Sequence, residues 1–397
     1  MSQTAIPCSV YRGGTSRGLF FNAVDLPENT KARNHIFTHA IDAYNPSQIN
    51  GLGSGTSHSS KVVVIGKSQR ENIGVEYTFY QIGIGAPIVD DQGTCGNLMA
   101  AVGAFAVDEG FVEVAPEATS VTVHVFNTNI NREVKIDVPL HQGKAKVSGD
   151  YLMPGIVTPG SKYSVNIMHP GAGKTGKTAP LDKISKIKVG KKTYDMTFLD
   201  IVNPFVYVAA ADFGLRGTEP TSEITAKQNL MDRLNCIRDE AAVAVGFADS
   251  AEEAKATVPA IPKIAMVAAP QDYTTTSGKE IKAKEIDILA KMISMEKLHR
   301  TFAGSGLYNL AAAALLPGTI PNQLSNTRYT QENQIVRIGH PDGIAEVQVS
   351  LTEDQEDVFS VGLERTARRI MKGEVFIPEK KEEETEYVPH LHIKEVT

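Results

Sequence analysis

Gly93-Thr94-Cys95-Gly96-Asn97-Leu98-Met99-Ala100-Ala101-Val102-Gly103-Ala104-Phe105-Ala106-Val107 is the stretch that decides the fold. From Leu98 onward it offers no polar face, and a helix that is apolar all round has to be enclosed on every side. A second stretch repeats the plan. Gly304-Ser305-Gly306 leads into Leu307-Tyr308-Asn309-Leu310-Ala311-Ala312-Ala313-Ala314-Leu315-Leu316, and Pro317-Gly318 stops it. Most of the remaining chain reads as short strands, in which β-branched and aromatic residues alternate with polar ones and end at Gly, Asn or Pro. Residues 62–65, 121–126, 133–138, 194–198, 206–209, 335–338 and 346–351 are the clearest. The expected fold is therefore α+β: two similar domains, each a barrel-like, mostly antiparallel sheet wrapped around one central buried helix.

A helix-poor run of small residues at 171–185 places the division, giving domains at 1–180 and 181–378 and an acid-rich, charged tail at 379–397. A chain of 397 residues is ample for two cores. Its 40 basic and 46 acidic residues leave a net charge of −6 with no basic stripe, which argues against nucleic acid as a partner. No apolar run is long enough to span a bilayer, so no membrane association is expected. The chain starts without a secretory pattern, and its three cysteines, Cys8, Cys95 and Cys236, suit reduced thiols. The expected compartment is the cytoplasm, and a homodimer would be compatible with all of this.

The turn before the first central helix is the sharpest chemical signal. A helix start exposes unpaired backbone N–H groups and the positive end of the macrodipole, a setting that suits carboxylates and a reactive thiol. Cys95 is thus a candidate thiolate or acid/base group; the bland alternative is a small Cys filling a tight turn. Ser305 and Gly306 stand at the second helix start. Upstream, Arg12-Gly13-Gly14-Thr15-Ser16-Arg17-Gly18 and Gly51-Leu52-Gly53-Ser54-Gly55-Thr56-Ser57-His58-Ser59-Ser60-Lys61 are loops whose backbone and hydroxyls can approach an anion closely. Arg17 and Lys61 are candidate cationic anchors. A small anionic molecule is implied.

Gly171-Ala172-Gly173-Lys174-Thr175-Gly176-Lys177-Thr178 satisfies a phosphate-loop pattern letter for letter. Its context does not, because His169-Pro170 and Ala179-Pro180 flank it where a strand and a helix are needed. His390 and His392 lack further ligands for a metal. His58 and His299 sit near the candidate loops, and Cys236 reads as helix packing.

Taken together, Tyr11 to Gly18, Ser57 to Lys61, Thr94-Cys95-Gly96-Asn97-Leu98, Gly176-Lys177-Thr178, Asn203-Pro204 and Arg337-Ile338-Gly339-His340-Pro341 resemble the PrpF family, 2-methylaconitate isomerases and relatives on the diaminopimelate epimerase fold. The resemblance covers nearly the whole chain. It implies two barrel-like domains with substrate in the cleft between them, no cofactor and no metal. It also implies an allylic proton shift, moving or isomerising a double bond, in an unsaturated di- or tricarboxylate such as aconitate or 2-methylaconitate. A 4-oxalomesaconate-type keto-enol tautomerase or a methylitaconate delta-isomerase is the alternative. Lys61 and Cys95 match the proton-transfer positions; Ser16, Arg17, Thr56, Ser57, Gly96, Asn97, Asn203, Ser305 and Gly306 fall where carboxylates would be held. Arg17 stands where many relatives carry Lys, and diaminopimelate epimerases carry a second cysteine where this chain has Ser305. Either Lys61 removes the proton and Cys95 returns one, or the reverse.

Overall fold

The computed structural model describes residues 2–91, 93–153, 155–294 and 296–379. The expected tail at 379–397, with His390 and His392, lies outside the described residues except for Glu379. The chain divides into two compact units, and both central helices form as expected, Gly96–Asp108 in the first and Gly304–Leu315 in the second.

The first unit comprises Met1–Asn129, Ile136–Tyr163 and the chain from Arg365. The division thus falls after Tyr163 rather than after residue 180, and the chain's last strand returns to the first unit. Pairing explains the return: Ala367–Pro378 lies antiparallel along the whole of Gln3–Gly13, from Gln3 opposite Pro378 to Gly13 opposite Ala367. Residues 171–180 belong to the second unit because its own carboxylates hold them. Asp200 accepts from the Lys174 and Thr175 N–H groups, and Asp357 accepts from the Thr178 hydroxyl at 2.7 Å.

Each unit follows one connection scheme. In the first, Gln3–Gly13 pairs antiparallel with Ser16–Asn22; after the helix Thr30–Ile41, Lys61–Lys67 returns parallel to Ser16–Asn22, then turns back into antiparallel Val75–Ile82. The central helix follows, and Ser120–Asn127 comes back parallel to Val75–Ile82. In the second unit, Lys192–Ile201 pairs with Asn203–Ala209; after the helices Gln228–Ala244 and Ala251–Thr257, Lys263–Ala268 returns parallel to Asn203–Ala209. Ile288–Ser294 turns back antiparallel, the central helix follows, and Gln334–His340 returns parallel to Ile288–Ser294. The repeat inferred from two apolar runs is therefore a repeat of whole topology. Each parallel return requires a crossover, and among the described residues every α-helix lies in one of these crossovers.

Where an outer helix covers the far face, as over Ser16–Asn22 and Asn203–Ala209, the strand is apolar on both faces, whereas Arg132–His141 alternates buried with partly or fully exposed residues. In the first unit Leu19 and Phe21 pack with Ile36, Phe37 and Ile41 of the outer helix. Phe20, between them in sequence, points the other way and stacks with Tyr11 and with Phe105 of the central helix, with ring centroids 5.1 and 5.9 Å away. Each such fully buried ring stabilises by roughly 1.5–3 kcal/mol. The second unit repeats this layering, with Leu230, Leu234, Ile237 and Ala241 of Gln228–Ala244 against Phe198, Val206 and Ile264. Cys236, expected to pack, instead lies on the exposed face of that helix. Among the described residues, no helix is long and apolar enough to cross a membrane.

Candidate active site

Lys61 opens the parallel strand of the first unit, where its register partner is Gln81. Only 8% of Lys61 is exposed, and its Nζ donates to Gln81 Oε1 at 2.6 Å and stands 4.9 Å from the centre of the Phe79 ring. Gln81 is itself fixed, since its Nε2 donates to the Ser60 carbonyl at 2.8 Å. Sequence reading did not find Gln81, because one polar residue in an alternating strand carries no signal of what stands opposite it. Gly18 separates Lys61 from the central helix. A Cβ there would meet the Lys61 carbonyl at 3.0 Å and Leu98 Cδ1 at 3.1 Å, so the bare backbone lets three elements meet.

Cys95 is the N-cap of the central helix, with extended backbone and no side-chain cap bond. Its thiol, partly exposed, donates to Ser16 Oγ over 3.8 Å. The Leu98 N–H already donates to the Cys95 carbonyl at 3.1 Å, so the N–H groups of Gly96 and Asn97 are the ones that precede the helix's own bonding. Gly13 and Gly14 hold this helix start in place. A Cβ on Gly13 would come within 2.5 Å of the Asn97 carbonyl, and Gly14 takes a left-handed φ of 52° directly against the Asn97 side chain. That side chain is committed: Asn97 donates to Thr15 Oγ1 at 3.0 Å and accepts from Arg365 Nε at 3.0 Å. What Asn97 can offer a ligand is therefore its backbone.

The other first-unit candidates gather beside these groups. The Arg17 backbone N–H donates to the His58 carbonyl, and the Arg17 guanidinium donates to the Leu52 carbonyl at 3.3 Å, tying the hairpin to the glycine-serine loop. Thr56 and Ser57 lie exposed on that loop. It closes on itself through Ser59 and Ser60, whose N–H groups donate to the Thr56 carbonyl. Residues 16–18 thus touch, in turn, Cys95, the loop that carries Thr56 and Ser57, and the backbone of Lys61, and Gly96 and Asn97 follow Cys95 in the helix.

The second unit holds Asn203, Ser305 and Gly306. The cap residue of its central helix is Ala303, so Ser305 lies within the first turn and no acidic hydrogen occupies the place of Cys95. Gly306 is bare for packing: a Cβ would strike Phe205 and Phe302 at 2.6 and 2.7 Å. Asn309 was overlooked by the sequence reading and anchors this half. Fully buried, its amide nitrogen reaches the carbonyls of Leu199, Ile201 and Asn203 at 2.9 to 3.1 Å, while its oxygen accepts from the Tyr207 hydroxyl. A polar residue inside an apolar helix was the signal, since a buried amide must be bonded. The Arg337 motif is likewise internal, forming a two-pronged pair with Asp287.

The loop that imitates a phosphate cradle is filled from within. Lys174 N–H, Thr175 N–H and the Thr175 hydroxyl all donate to Asp200 Oδ2. Its anion is a carboxylate of the same unit.

A family model described as PrpF protein matches residues 3–378. The 3-methylitaconate isomerase of Eubacterium barkeri is 36% identical over 96% of this chain and 99% of its own length. The 2-methyl-aconitate isomerase of Shewanella oneidensis is 32% identical over 95% and 98%. The crystal structure of a methylitaconate-delta-isomerase superposes with a TM-score of 0.89 at 34% identity, covering 95% of this chain and 97% of that one.

Proposed function

The chain belongs to the PrpF family, and from that membership and its own first-unit geometry we propose that it moves a proton across the allylic unit of an unsaturated di- or tricarboxylate. It is an isomerase. The observation that supports the allylic reading is that one hairpin end, Ser16–Gly18, meets both the thiol at the helix start and the backbone of a mostly buried lysine held by Gln81.

The proton to be moved is allylic and vinylogously α to a carboxylate. Its removal leaves a dienolate whose charge spreads onto that carboxylate. Lys61, as the neutral amine, takes the proton, and the C–H pair enters the conjugated system. The Cys95 thiol then gives its proton to the far carbon, and the double bond settles one position along. This leaves Lys61 as ammonium and Cys95 as thiolate, which reset by exchange with solvent. In the reverse reaction the roles exchange, since the path is the same, so each group serves as acid in one direction and base in the other. The Gly96 and Asn97 N–H groups and Arg17 supply donors aimed where the charge develops. Ser16, Thr56 and Ser57, and in the second unit Asn203, Ser305 and Gly306, are the proposed carboxylate contacts. No cofactor is required by these steps, and the proposed site of action is the cytoplasm.

The test is proton NMR in D₂O with cis-aconitate, trans-aconitate, 2-methyl-cis-aconitate and methylitaconate. Deuterium entering an allylic position together with a new isomer supports the reading. If none of these acids exchanges or isomerises, the proposal is wrong.

A further inference from the structure

The second unit carries a lysine in the place of Lys61. Lys61 is the first residue of the strand that returns parallel after the outer helix, and Lys263 is the first residue of the corresponding strand. Each strand is followed by an antiparallel partner and then by the central helix. The surroundings of the two lysines differ. Ala303 replaces the thiol at the helix cap, so Lys263 has no proton-transfer partner there.

Among the described residues, Lys263 also has no carboxylate partner. It is mostly buried, yet among the described residues its Nζ donates only to the Ala260 carbonyl at 3.3 Å and lies 5.9 Å from the centre of the Phe205 ring. Phe205 is also the ring that covers Gly306 in the first turn of the central helix. A buried cation without an acid is expensive to maintain. The unit's other buried lysine shows the ordinary solution: Lys291 donates to the Gly217 carbonyl and feels the charge of buried Glu219. Burial alone lowers the Lys263 pKa, with no acid to oppose it.

A second donor accompanies it. His299 accepts the Thr301 N–H on Nδ1 at 3.2 Å, which leaves its neutral ring with a hydrogen on Nε2. Burial first, and then the charge of Lys263, disfavour its protonation. The arrangement offers N–H donors and no acceptor of charge.

We propose that Lys263 is a carboxylate-binding residue of the second unit: the repeat keeps a lysine at the position of Lys61, has alanine in place of the thiol, and uses the remaining charge to hold a carboxylate. This rests on the isomerase reading for its ligand class. The expected consequence is selective. Removing a charge-assisted bond to a carboxylate weakens binding about ten- to a hundredfold, whereas loss of a proton-transfer group lowers turnover.

The probe is tricarballylate, a saturated tricarboxylate that can bind but has no double bond to shift, titrated calorimetrically into wild type, Lys263→Met and Lys263→Arg. Substrate kinetics run in parallel. Lys263→Met should weaken tricarballylate at least tenfold and raise KM by a similar factor with kcat changed far less, and Lys263→Arg should restore much of both. Circular dichroism checks that each variant folds. Should the methionine variant not fold, the arginine variant and Lys263→Gln carry the test. Tricarballylate affinity and KM within twofold of wild type in a folded variant without the charge would overturn the proposal. A wild type that binds tricarballylate through Lys263 yet isomerises nothing would refute the isomerase reading and leave this subsite standing.

Discussion

Gly13→Ala should slow the reaction without touching any reacting group. A Cβ at Gly13 lies 2.5 Å from the Asn97 carbonyl oxygen, 3.0 Å from Leu98 Cα and 3.1 Å from Ala101 Cβ. All three belong to the central helix rather than to a flexible side-chain tip. Ordinary contact begins near 3.4 Å, so the helix start or the strand end must yield by 3.4 − 2.5 = 0.9 Å. Cys95 caps that same helix. A misplacement of about 1 Å typically costs about 10² in rate, and crowding of this kind destabilises by about 1–3 kcal/mol. The two effects are separable. Turnover is read at 25 °C with the best substrate of the NMR screen, where the variant remains folded, and thermal unfolding is read independently. Gly74→Ala is the control, because nothing lies within 4 Å of its Cβ; it should match wild type in both. The expected result for Gly13→Ala is turnover down about a hundredfold with unfolding a few degrees lower. A folded variant turning over within twofold of wild type would show that the cap of this helix does not position the chemistry.

Cys95→Ser and Lys61→Met should each lower kcat by about 10²–10⁴ with circular dichroism unchanged, as for loss of a general acid or base; solvent deuterium incorporation into substrate measures this directly. Asn309→Leu strips the Leu199, Ile201 and Asn203 carbonyls and the Tyr207 hydroxyl of their buried partner, and urea unfolding should show a loss of about 2–4 kcal/mol. His340 is held mostly by burial at a pKa of about 4, below the ordinary 6.5. The unfolded chain therefore binds the extra proton first, and stability present above pH 6.5 falls by about 3 kcal/mol as pH drops through 4. His340→Gln should flatten that acid slope in urea midpoints taken at pH 7 and pH 5. ATP with magnesium should leave the melting temperature unmoved, since Asp200 already occupies the donors of the Gly-Lys-Thr loop; a shift abolished by Lys177→Ala would contradict that.

The architecture was legible because enclosure leaves a mark on composition. Leu98–Val107 and Leu307–Leu316 could be nothing but buried helices, and two of them implied two wrapped sheets. The division at residue 180 failed for a reason equally physical. Small residues at 171–180 look like a linker, but whether such a stretch is free depends on which carboxylates it meets, and Asp200 and Asp357 are far away in sequence. Likewise no local pattern announces that the strand ending at Pro378 pairs with the strand starting at Gln3. Within the site, the residue types with chemistry were readable: a thiol at a helix start, a lysine at a loop-to-strand edge, glycines at a tight hairpin. Their supports were not. Gln81, Arg365 and Asn309 are ordinary residues whose meaning comes only from the partner placed opposite them.

The distribution of thiols bears on the class of reaction. Inverting one carbon requires an acid on each of its faces, and two cysteines are a common way to supply them. Cys8 cannot serve, because it is 5% exposed and burial pushes its thiol up to about 11. Cys236 lies exposed on Gln228–Ala244, a helix on the outer side of its sheet. That leaves Cys95, and the repeat places Ala303 at the matching cap. The two-thiol form of inversion at a single carbon therefore lacks its second thiol among these positions, whereas the proposed allylic shift asks for only one thiol and one amine. On the proposal made above, alanine at the second cap with the lysine retained leaves a cation whose expected partner is a carboxylate, so Lys263→Met should be read in binding before it is read in turnover.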